Sequence, residues 1–531
     1  MVHHQNNSIE ARRRVVQEDL DSRRSGGDRN RLGQFATPND LAVEIARYVL
    51  SVAGNSFHPI RFADPSIGTG SFFSAALSVF GSEGLERAVG IELDPAFSEA
   101  ARDLWGNAGL EVVRDDFTRV VADGSIRFSP NLILANPPYV RHHHLGRGEK
   151  ERLQALAYRM TGLEVSGLAG LYVYFLLLAT AWMEDGGYAA WLIPSEFMDV
   201  NYGEALKYFL TNRVTLIRVH RFDPGDIQFG DALVSSVVLV FRKAAPSSEH
   251  EVEFTFGGSL GSPSSKDRVS LKELRCSRKW TMYPVHAKND RRISADAEGP
   301  RLGDLFRIQR GIATGSNSFF ILDHSDANRR GLPDPYIRPI LPSPRHLKVT
   351  VVDADEAGYP LIDRPLCLID CDLPERILKD RHPPLWEYLQ TAESLGIKDG
   401  YLVGKRTPWY KQEQRAPAPF LCTYMGRGSD LKRPFRFIWN RSRAICTNLY
   451  LMLYPTHELA VLLSRDSSLY ADVFHLLNQI TASELRGEGR VYGGGLNKIE
   501  PNELGRVSAW SFIRQWPHLS HTLHRQGNLF D

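Results

Sequence analysis

The sequence ADPSIGTGSF, residues 63–72, decides the fold of this 531-residue chain. Residues 61–63 predict a strand that leads into it, and residues 71–80 predict the helix that follows. Gly68 and Gly70 allow a sharp turn and a close approach of the backbone to a ligand. In an open α/β sheet, ligands bind at the carboxyl ends of the strands, where such a turn lies. The sequence therefore predicts a ligand-binding turn between a strand and a helix.

Strand and helix signals alternate along the chain around this turn. Further strands are predicted at residues 87–91, 110–114, 132–135, 188–193, 214–221 and 234–242. Further helices are predicted at residues 39–50, 95–105, 171–184 and 202–211. Such alternation is typical of a doubly wound, mainly parallel sheet of the α/β class. We expect this domain to span residues 31–244, after a flexible or helical N-terminal arm of residues 1–30.

The second half of the chain has a different composition. Residues 245–266 are rich in Ser, Gly and Pro, which predicts a linker or loop region within a connecting segment of residues 245–300. Residues 301–531 are irregular, with many prolines and short strand candidates. We expect an α+β domain in this last region.

A basic run lies within that region. Although the whole chain has a net charge of +2, ten basic residues between positions 405 and 443 face only two acids, Glu413 and Asp430. Aromatic residues are interleaved with them. This pattern is typical of a nucleic-acid contact surface, and equally of a solvated face above core aromatics. The basic residues are Lys405, Arg406, Lys411, Arg415, Arg427, Lys432, Arg433, Arg436, Arg441 and Arg443.

Composition excludes several classes of protein. No apolar run approaches the ~20 residues of a membrane span, and residues 1–14 lack the apolar region of a secretory signal. Five scattered cysteines do not make a disulfide framework. The adjacent histidines His142, His143 and His144 cannot all face one ion, so we expect a phosphate-contacting or disordered loop and no metal site. These features predict a cytoplasmic protein.

Acidic residues follow the first three predicted strands. Asp64 can accept a hydrogen bond from the ammonium group of an amino acid. Glu92 lies 22 residues beyond Gly70, where a carboxylate suits the two hydroxyls of a ribose. Asp116 suits an adenine amino group, with Phe117 against the ring, and a helix N-cap is the alternative for Asp116. Dinucleotide sites also combine a glycine turn with an acid, but GTGSF departs from their GxGxxG pattern.

The tetrapeptide Asn136-Pro137-Pro138-Tyr139 follows a predicted buried strand and is the most specific signal in the chain. An amine conjugated to an aromatic ring is a poor nucleophile because its lone pair is delocalised. The side-chain oxygen of Asn136 and the carbonyl of Pro137 can accept from such an amine and localise that lone pair. Two prolines stiffen the loop, preorganised acceptors are strong in a dry pocket, and Tyr139 offers a face on which an extruded base can stack.

The order of these motifs resembles the γ-class N6-adenine DNA methyltransferases, the TaqI-like group of restriction–modification systems. GQFATP at residues 33–38 is similar to the family's first block, which lines the methionine end of the cofactor and gives that role to Thr37 and Pro38. Residues 171–175 and 186–194 resemble the family's later helix and strand blocks. Phe229 takes the place of its second base-stacking aromatic, although a core aromatic is an alternative. Ser66-Ile67 departs from the family, which has Ala-Cys before the glycines more commonly.

The resemblance, close over residues 31–243, implies a class I methyltransferase fold and S-adenosyl-L-methionine as cofactor. It implies that the C-terminal region, matched more loosely, is a target-recognition domain for double-stranded DNA, and that the target adenine is swung out of the helix. A monomer in the bacterial cytoplasm is expected, with any cognate restriction endonuclease acting separately. The implied catalytic residues are Asn136, Pro137, Pro138, Tyr139 and Phe229. The implied cofactor residues are Thr37, Pro38, Asp64, Gly68, Gly70, Glu92, Asp116 and Phe117.

Other activities remain as alternatives. Methylation of cytosine C5 needs a nucleophilic cysteine, usually after a proline, and none of the five cysteines follows a proline. Cytosine-N4 enzymes share the amine chemistry but usually begin the tetrapeptide with serine. Protein-glutamine methyltransferases also use NPPY but are shorter, with their extra domain ahead of the glycine turn. A DNA-binding protein with an inactive cofactor pocket is the alternative outside the enzymes.

Overall fold

The computed structural model describes residues 2–54, 57–223, 235–284, 299–427, 434–492 and 496–522. It divides into two compact units. The N-terminal unit contains the described residues up to 284, and the C-terminal unit contains those from 299 to 491 and from 496 to 522. Each unit has its own hydrophobic core.

A nine-stranded sheet forms the centre of the N-terminal unit, in the order β3-β2-β1-β4-β5-β7-β6-β8-β9. The first five strands of that order run parallel, and β7 is antiparallel to both of its neighbours. The strands are β1 Ile60–Asp64, β2 Leu85–Glu92, β3 Leu110–Arg114, β4 Leu132–Ala135, β5 Tyr188–Pro194, β6 Thr215–Arg221, β7 Ser236–Arg242, β8 Glu251–Gly258 and β9 Pro263–Ser270.

Side chains from the central strands are buried on both faces of this sheet. In β1, Phe62 belongs to one core cluster and Ala63 to the other, because successive side chains point to opposite faces. Burial on both faces is the property of a doubly wound sheet, so the predicted α/β class is confirmed. The helices are α1 Val2–Ser22, α2 Gly26–Leu32, α3 Asn39–Ala53, α4 Ser71–Phe80, α5 Pro95–Trp105, α6 Phe117–Asp123, α7 Arg147–Thr161, α8 Leu171–Trp182, α9 Glu204–Asn212 and α10 Leu271–Cys276.

The predicted linker at residues 245–266 is wrong. This segment is neither a linker nor a loop: it contains β8 and the first half of β9, an antiparallel pair in which β8 extends the sheet alongside β6. Val252 and Phe254 on β8 are fully buried, whereas alternate residues of the edge strand β9 are exposed. The Ser and Gly residues between the strands form their turn, where the Ser259 N–H donates to the Ser262 carbonyl at 3.2 Å. A composition typical of linkers here belongs to a hairpin and its solvated edge.

The C-terminal unit is an α+β arrangement, as the sequence predicts. Three small sheets have the orders β10-β18-β15-β17-β13, β11-β14-β12 and β16-β20-β19. Its strands are β10 Phe306–Arg310, β11 Ile321–Asp323, β12 Ile337–Ile340, β13 Val351–Val352, β14 Leu366–Ile369, β15 Phe420–Thr423, β16 Met425–Arg427, β17 Phe437–Asn440, β18 Tyr450–Pro455, β19 Arg490–Tyr492 and β20 Leu496–Lys498. Its longer helices are Pro383–Ser394, His457–Arg465 and Leu469–Gln479.

Candidate active site

Three of the predicted site residues meet at one edge of the large sheet. Asp64 ends β1, Glu92 ends β2, and Asn136 directly follows β4. These strands are parallel neighbours in the order β2-β1-β4, so their carboxyl ends lie side by side. The structure therefore brings together residues that lie up to 72 positions apart in the sequence.

The two glycines of the first turn have different functions. Both have a positive φ, 54° at Gly68 and 92° at Gly70, which favours glycine. A Cβ atom on Gly70 would lie 2.5 Å from the indole nitrogen of Trp105, so its missing side chain makes room for a core residue. A Cβ atom on Gly68 would meet nothing within 4 Å. The open space suited to a ligand is therefore at Gly68.

A buried carboxyl group, that of Asp64, and a half-buried one, that of Glu92, lie beside this turn. Asp64 Oδ1 accepts from the Ser66 N–H at 2.9 Å. Burial raises the pKa of Asp64 to about 8, the Ser66 N–H opposes that shift, and the nearby charge of Glu92 adds to it. The Glu92 oxygens accept from the N–H groups of Gly68, at 3.0 Å, and Asp94, at 2.9 Å. Burial also raises the pKa of Glu92. Acids with raised pKa values favour a cationic ligand, which restores their ionised form.

The side-chain amide of Asn136 has one fixed orientation. Its Nδ2 donates to the Phe35 carbonyl at 2.7 Å and to Thr37 Oγ1 at 3.0 Å. Because a carbonyl only accepts, the amide nitrogen must be on that side. Asn136 Oδ1 is buried and has no hydrogen-bond partner in the described part of the chain. A buried acceptor without a donor is costly, so this oxygen is suited to a donor that arrives with a ligand.

The segment at residues 33–38 holds the loop Asn136-Pro137-Pro138-Tyr139, called the NPPY loop below. The Tyr139 N–H donates to the Gly33 carbonyl at 3.0 Å, and a Cβ atom on Gly33 would lie 2.3 Å from that nitrogen. Thr37 accepts from Asn136 through its hydroxyl and from Ser71 through its carbonyl. Pro38 occupies the N-cap position of α3. Thr37 therefore orients Asn136. The sequence predicts only a contact with the cofactor for this residue.

The Tyr139 ring is fixed by its surroundings. Its hydroxyl donates to the Leu192 carbonyl at 3.1 Å, and its ring centroid lies 5.6 Å from that of Phe35. Only 6% of the residue is exposed. Pro137 and Pro138 lie between Asn136 and this fixed tyrosine. The predicted second stacking residue, Phe229, lies outside the described residues.

The structure contradicts the predicted role of Phe117. This residue is 2% exposed, and its ring packs on Phe175 and Trp182, with centroid distances of 5.1 and 6.0 Å. It belongs to the same core cluster as Phe175, and the two aromatic contacts cover its ring, so adenine would not reach it in this arrangement. Asp116 is the N-cap of α6, where its Oδ1 accepts from the N–H and hydroxyl of Thr118. Its alternative interpretation as a helix cap therefore agrees with the geometry.

Two further features of the site are missing from the sequence predictions. Leu93 follows Glu92 and is 68% exposed, so an apolar side chain lies beside the proposed ribose contact. Arg13 and Gln17 on α1 contact Thr69 in the glycine turn, at 3.0 and 2.7 Å. Local pattern gives no signal for these contacts, because they join residues more than 50 positions apart.

Six of the seven basic residues between positions 405 and 443 whose side chains the structure describes already have a polar partner, among them Lys405, which donates to the Tyr401 hydroxyl at 2.7 Å. Arg406 donates to the carbonyls of Ala313 and Thr314, and Arg436 donates to that of Pro344. Lys411, Arg415 and Arg441 pair with Asp372, Glu413 and Asp353, respectively. Arg443 is exposed and pairs with no acid among the described residues. The side chains of Arg427, Lys432 and Arg433 lie outside the described set. The surplus of charge counted along the sequence is therefore reduced by acids from other segments.

The histidine run forms a short 3₁₀ turn, His142–His144, just after the NPPY loop. The rings of His143 and His144 lie 4.2 Å apart. Burial and neighbouring cations lower the pKa of His143. In the ranges that the structure describes, no group of three or more potential metal ligands is found, and no helix is long and apolar enough to cross a membrane.

Comparison with known proteins identifies relatives over both units. Residues 124–228 match the family model of the Eco57I restriction-modification methylase, and residues 277–523 match that of the C-terminal domain of the type II methyltransferase M.Eco57I. The chain is 29% identical to the type II methyltransferase M.XamI of Xanthomonas campestris pv. amaranthicola, with 90% of this chain and 85% of that protein covered. It is 25% identical to M.AccI of Acinetobacter calcoaceticus, with 94% and 88% covered.

Solved structures share the fold. The type IIL restriction-modification enzyme MmeI, in complex with DNA, has a TM-score of 0.55 at 14% identity. The DrdV–DNA complex has a TM-score of 0.51 at 14% identity. The chain covers 65% and 59% of those longer chains, respectively. The matches to two methylase family models, and to two relatives over most of their length, agree with the sheet order and the NPPY loop of this chain. The chain belongs to the type II restriction–modification DNA methyltransferases.

Proposed function

We propose that this chain transfers a methyl group from S-adenosylmethionine to the exocyclic N6 of adenine in duplex DNA, as a γ-class enzyme. The observation that carries this proposal is the buried, unpaired Oδ1 of Asn136. An exocyclic amine is a donor that fits this acceptor, and the amide cannot turn away because Phe35 and Thr37 hold its nitrogen.

Asn136 prepares the amine for reaction. Its Oδ1 and the Pro137 carbonyl accept from the two N–H bonds, which draws the nitrogen towards a tetrahedral shape and localises its lone pair. With the cofactor bound, its sulfonium would supply the methyl group to the nitrogen that these two acceptors hold, and the proton displaced from the amine would leave to solvent. Acceptors that are already oriented stabilise the developing positive charge without reorganisation.

The residues at the sheet edge fit the proposed cofactor, which supplies an electrophilic methyl group on a sulfonium when bound. Asp64 suits the ammonium group of the cofactor. Burial raises the pKa of Asp64, so a cation beside it would stabilise its ionised form. Each Glu92 oxygen already accepts one backbone N–H and keeps a second lone pair for a ribose hydroxyl. The open space at Gly68 and the exposed Leu93 leave room on this side of the sheet edge.

Access of the target base requires extrusion from the double helix, which costs a few kcal/mol. We assign stacking to Tyr139 and Phe229, and each contact is worth roughly 1–3 kcal/mol. The Tyr139 hydroxyl bond to Leu192 would hold the ring in place for a base. In this proposal the C-terminal unit reads the DNA sequence, the chain acts as a monomer, and any cognate endonuclease is a separate protein.

The proposal is tested by identifying the methylated base. The chain is expressed in a host that lacks DNA methyltransferases, and host DNA is analysed by nucleoside mass spectrometry and single-molecule sequencing. We expect N6-methyladenine at one short sequence, and none with the Asn136→Ala variant. N4-methylcytosine would replace the adenine assignment with the cytosine alternative. Absence of both bases, with folded protein present, would refute the proposed activity.

A further inference from the structure

The N-terminal arm, taken here as residues 2–32 (α1, α2 and the turn between them), contacts two loops of the proposed cofactor site. Arg13 Nη1 donates to Thr69 Oγ1 at 3.0 Å, in the turn after β1. Arg24 forms an ion pair with Asp94, in the loop after β2. These contacts span 56 and 70 positions of the sequence. The arm therefore joins the two loops from outside the sheet.

Arg13 is presented to Thr69 in a fixed geometry. Its side chain is 4% exposed, and Glu10 accepts from its Nε and Nη2, both at 2.8 Å. Burial raises the pKa of Glu10, but the hydrogen bonds and charge of Arg13, together with hydrogen bonds from Ser74 and Arg14, outweigh it, so that pKa lies below its ordinary value. A buried charge is tolerated only when it is well paired. The bidentate pair therefore leaves Arg13 Nη1 with one direction in which to donate.

Thr69 is held from two sides. Its hydroxyl accepts from Arg13 and donates to Gln17 Oε1 at 2.7 Å, while its carbonyl accepts from the Trp105 indole N–H at 2.9 Å. It is the only residue between Gly68 and Gly70. Glycines have the largest conformational freedom of any residue. A turn that contains two of them therefore depends on contacts made by Thr69.

Both contacts of the arm converge on Glu92. One Glu92 oxygen accepts from the N–H of Gly68, the neighbour of Thr69, and the other accepts from the N–H of Asp94, the partner of Arg24. A shift of either loop would move one of these N–H groups. The orientation of the carboxylate is therefore linked to two arginines that do not touch it.

We propose that Arg13 is a positioning residue for cofactor binding, which holds the Gly68–Gly70 turn, and through it the Glu92 carboxylate, in the conformation that accepts S-adenosylmethionine. This inference rests on the proposed function. When only a fraction of the molecules has the binding conformation, the apparent affinity falls by that fraction. Loss of Arg13 thus weakens cofactor binding while the chemistry at Asn136 stays intact.

The test compares two adjacent arginines of α1. Arg14 is the matched control, because it also pairs with Glu10, at 3.2 Å, but its side chain is 53% exposed and makes no contact with the turn. We expect Arg13→Ala to raise the Kd and the KM for S-adenosylmethionine at least 10-fold, measured by calorimetry and initial rates. The kcat at saturating cofactor and the KM for DNA should stay within two-fold, as should every constant of Arg14→Ala.

A second variant keeps the shape of the turn. Thr69→Val removes the hydroxyl, should act in the same direction as Arg13→Ala, and carries the test if Arg13→Ala does not fold. The double variant should raise the Kd for S-adenosylmethionine no more than the single variant with the larger effect, because both substitutions remove the contact between Arg13 and Thr69. A lowered Tm with an unchanged Kd for the cofactor would refute the inference alone. A wild-type chain that does not bind S-adenosylmethionine would refute the proposed function and this inference with it.

Discussion

Each unit contains an asparagine at the carboxyl end of a strand, Asn440 buried and Asn136 half-buried, and the two differ in how they use their amide groups. Asn440, the last residue of β17, uses its whole amide: Nδ2 donates to the carbonyls of Ala418 and Ala444, and Oδ1 accepts from the N–H and hydroxyl of Ser442. Asn136, directly after β4, uses only its nitrogen, and its oxygen has no partner among the described residues. A fully paired amide supports the fold, whereas a half-paired one is available to a ligand.

The largest expected effect is on turnover. Asn136→Ala should lower kcat by at least 10²–10³-fold, because it removes a preoriented acceptor for the reacting amine. The Kd for S-adenosylmethionine should change only a few-fold, and circular dichroism should show an intact fold. Unchanged turnover would remove Asn136 from the proposed catalytic role.

Asn440→Ala should have the opposite profile. It leaves two carbonyls and the Ser442 donors without partners, so we expect the free energy of unfolding to fall by about 1–3 kcal/mol in denaturant titrations. The kcat of the folded fraction should equal that of wild type. If Asn440→Ala instead impaired turnover at full stability, the distinction between the two asparagines would fail.

Asp64 extends the comparison to an ionisable side chain whose charge depends on a ligand. Because its folded-state pKa of about 8 lies above the ordinary 3.8, the folded chain keeps a proton between roughly pH 4 and pH 8 that the unfolded chain releases. Its contribution to the free energy of unfolding therefore falls as pH rises through that window. A bound ammonium group favours the ionised form, so cofactor binding at pH 7 should release up to about one proton from Asp64.

Calorimetry in buffers with different ionisation enthalpies measures this proton release. The Asp64→Asn variant should release correspondingly less, while any share from Glu92 remains. Equal release by the two proteins would show that Asp64 is already ionised and would refute the proposed link between its burial and the cofactor's charge.

The smallest expected effect concerns DNA binding by the basic run. Arg443→Ala should weaken binding to all DNA sequences a few-fold and reduce the log–log salt slope by about 0.9, the value for one phosphate contact. Arg441→Ala is the control, since Arg441 already pairs with Asp353 at 2.6 Å. Fluorescence anisotropy over a range of salt concentrations measures both. Equal slopes for wild type and Arg443→Ala would exclude Arg443 from the DNA contact.

Much of the N-terminal unit was predictable because its local signals agree with its packing. Helix α5 and strand β3 lie at the predicted residues, since Asp94 caps one and glycine precedes the other. The position of Asp64, Glu92 and Asn136 at one edge follows from parallel strands alone. Side-chain direction was harder: Phe117 directly follows an acid of the site, yet it points into the core.

Contacts between distant segments could not be predicted. The charge of the basic run depends on Asp353 and Asp372, which lie outside it in the sequence. The contact of Arg13 with Thr69 depends on where α1 docks, and nothing local to either residue specifies that. The hairpin β8–β9 was missed because a half-exposed edge strand needs few apolar residues. The roles of the site residues in cofactor and base binding stay predictions.

The bond between Asn136 and the Phe35 carbonyl has a consequence for protein engineering. A chimera that received residues 124–228, the methylase match, from one relative would import the asparagine without the segment 101 positions upstream that sets its amide. A recipient with a different main-chain course at residues 33–38 would allow the amide to rotate and hide its oxygen. When segments are exchanged between these methylases, residues 33–38 and the NPPY loop should therefore be transferred together.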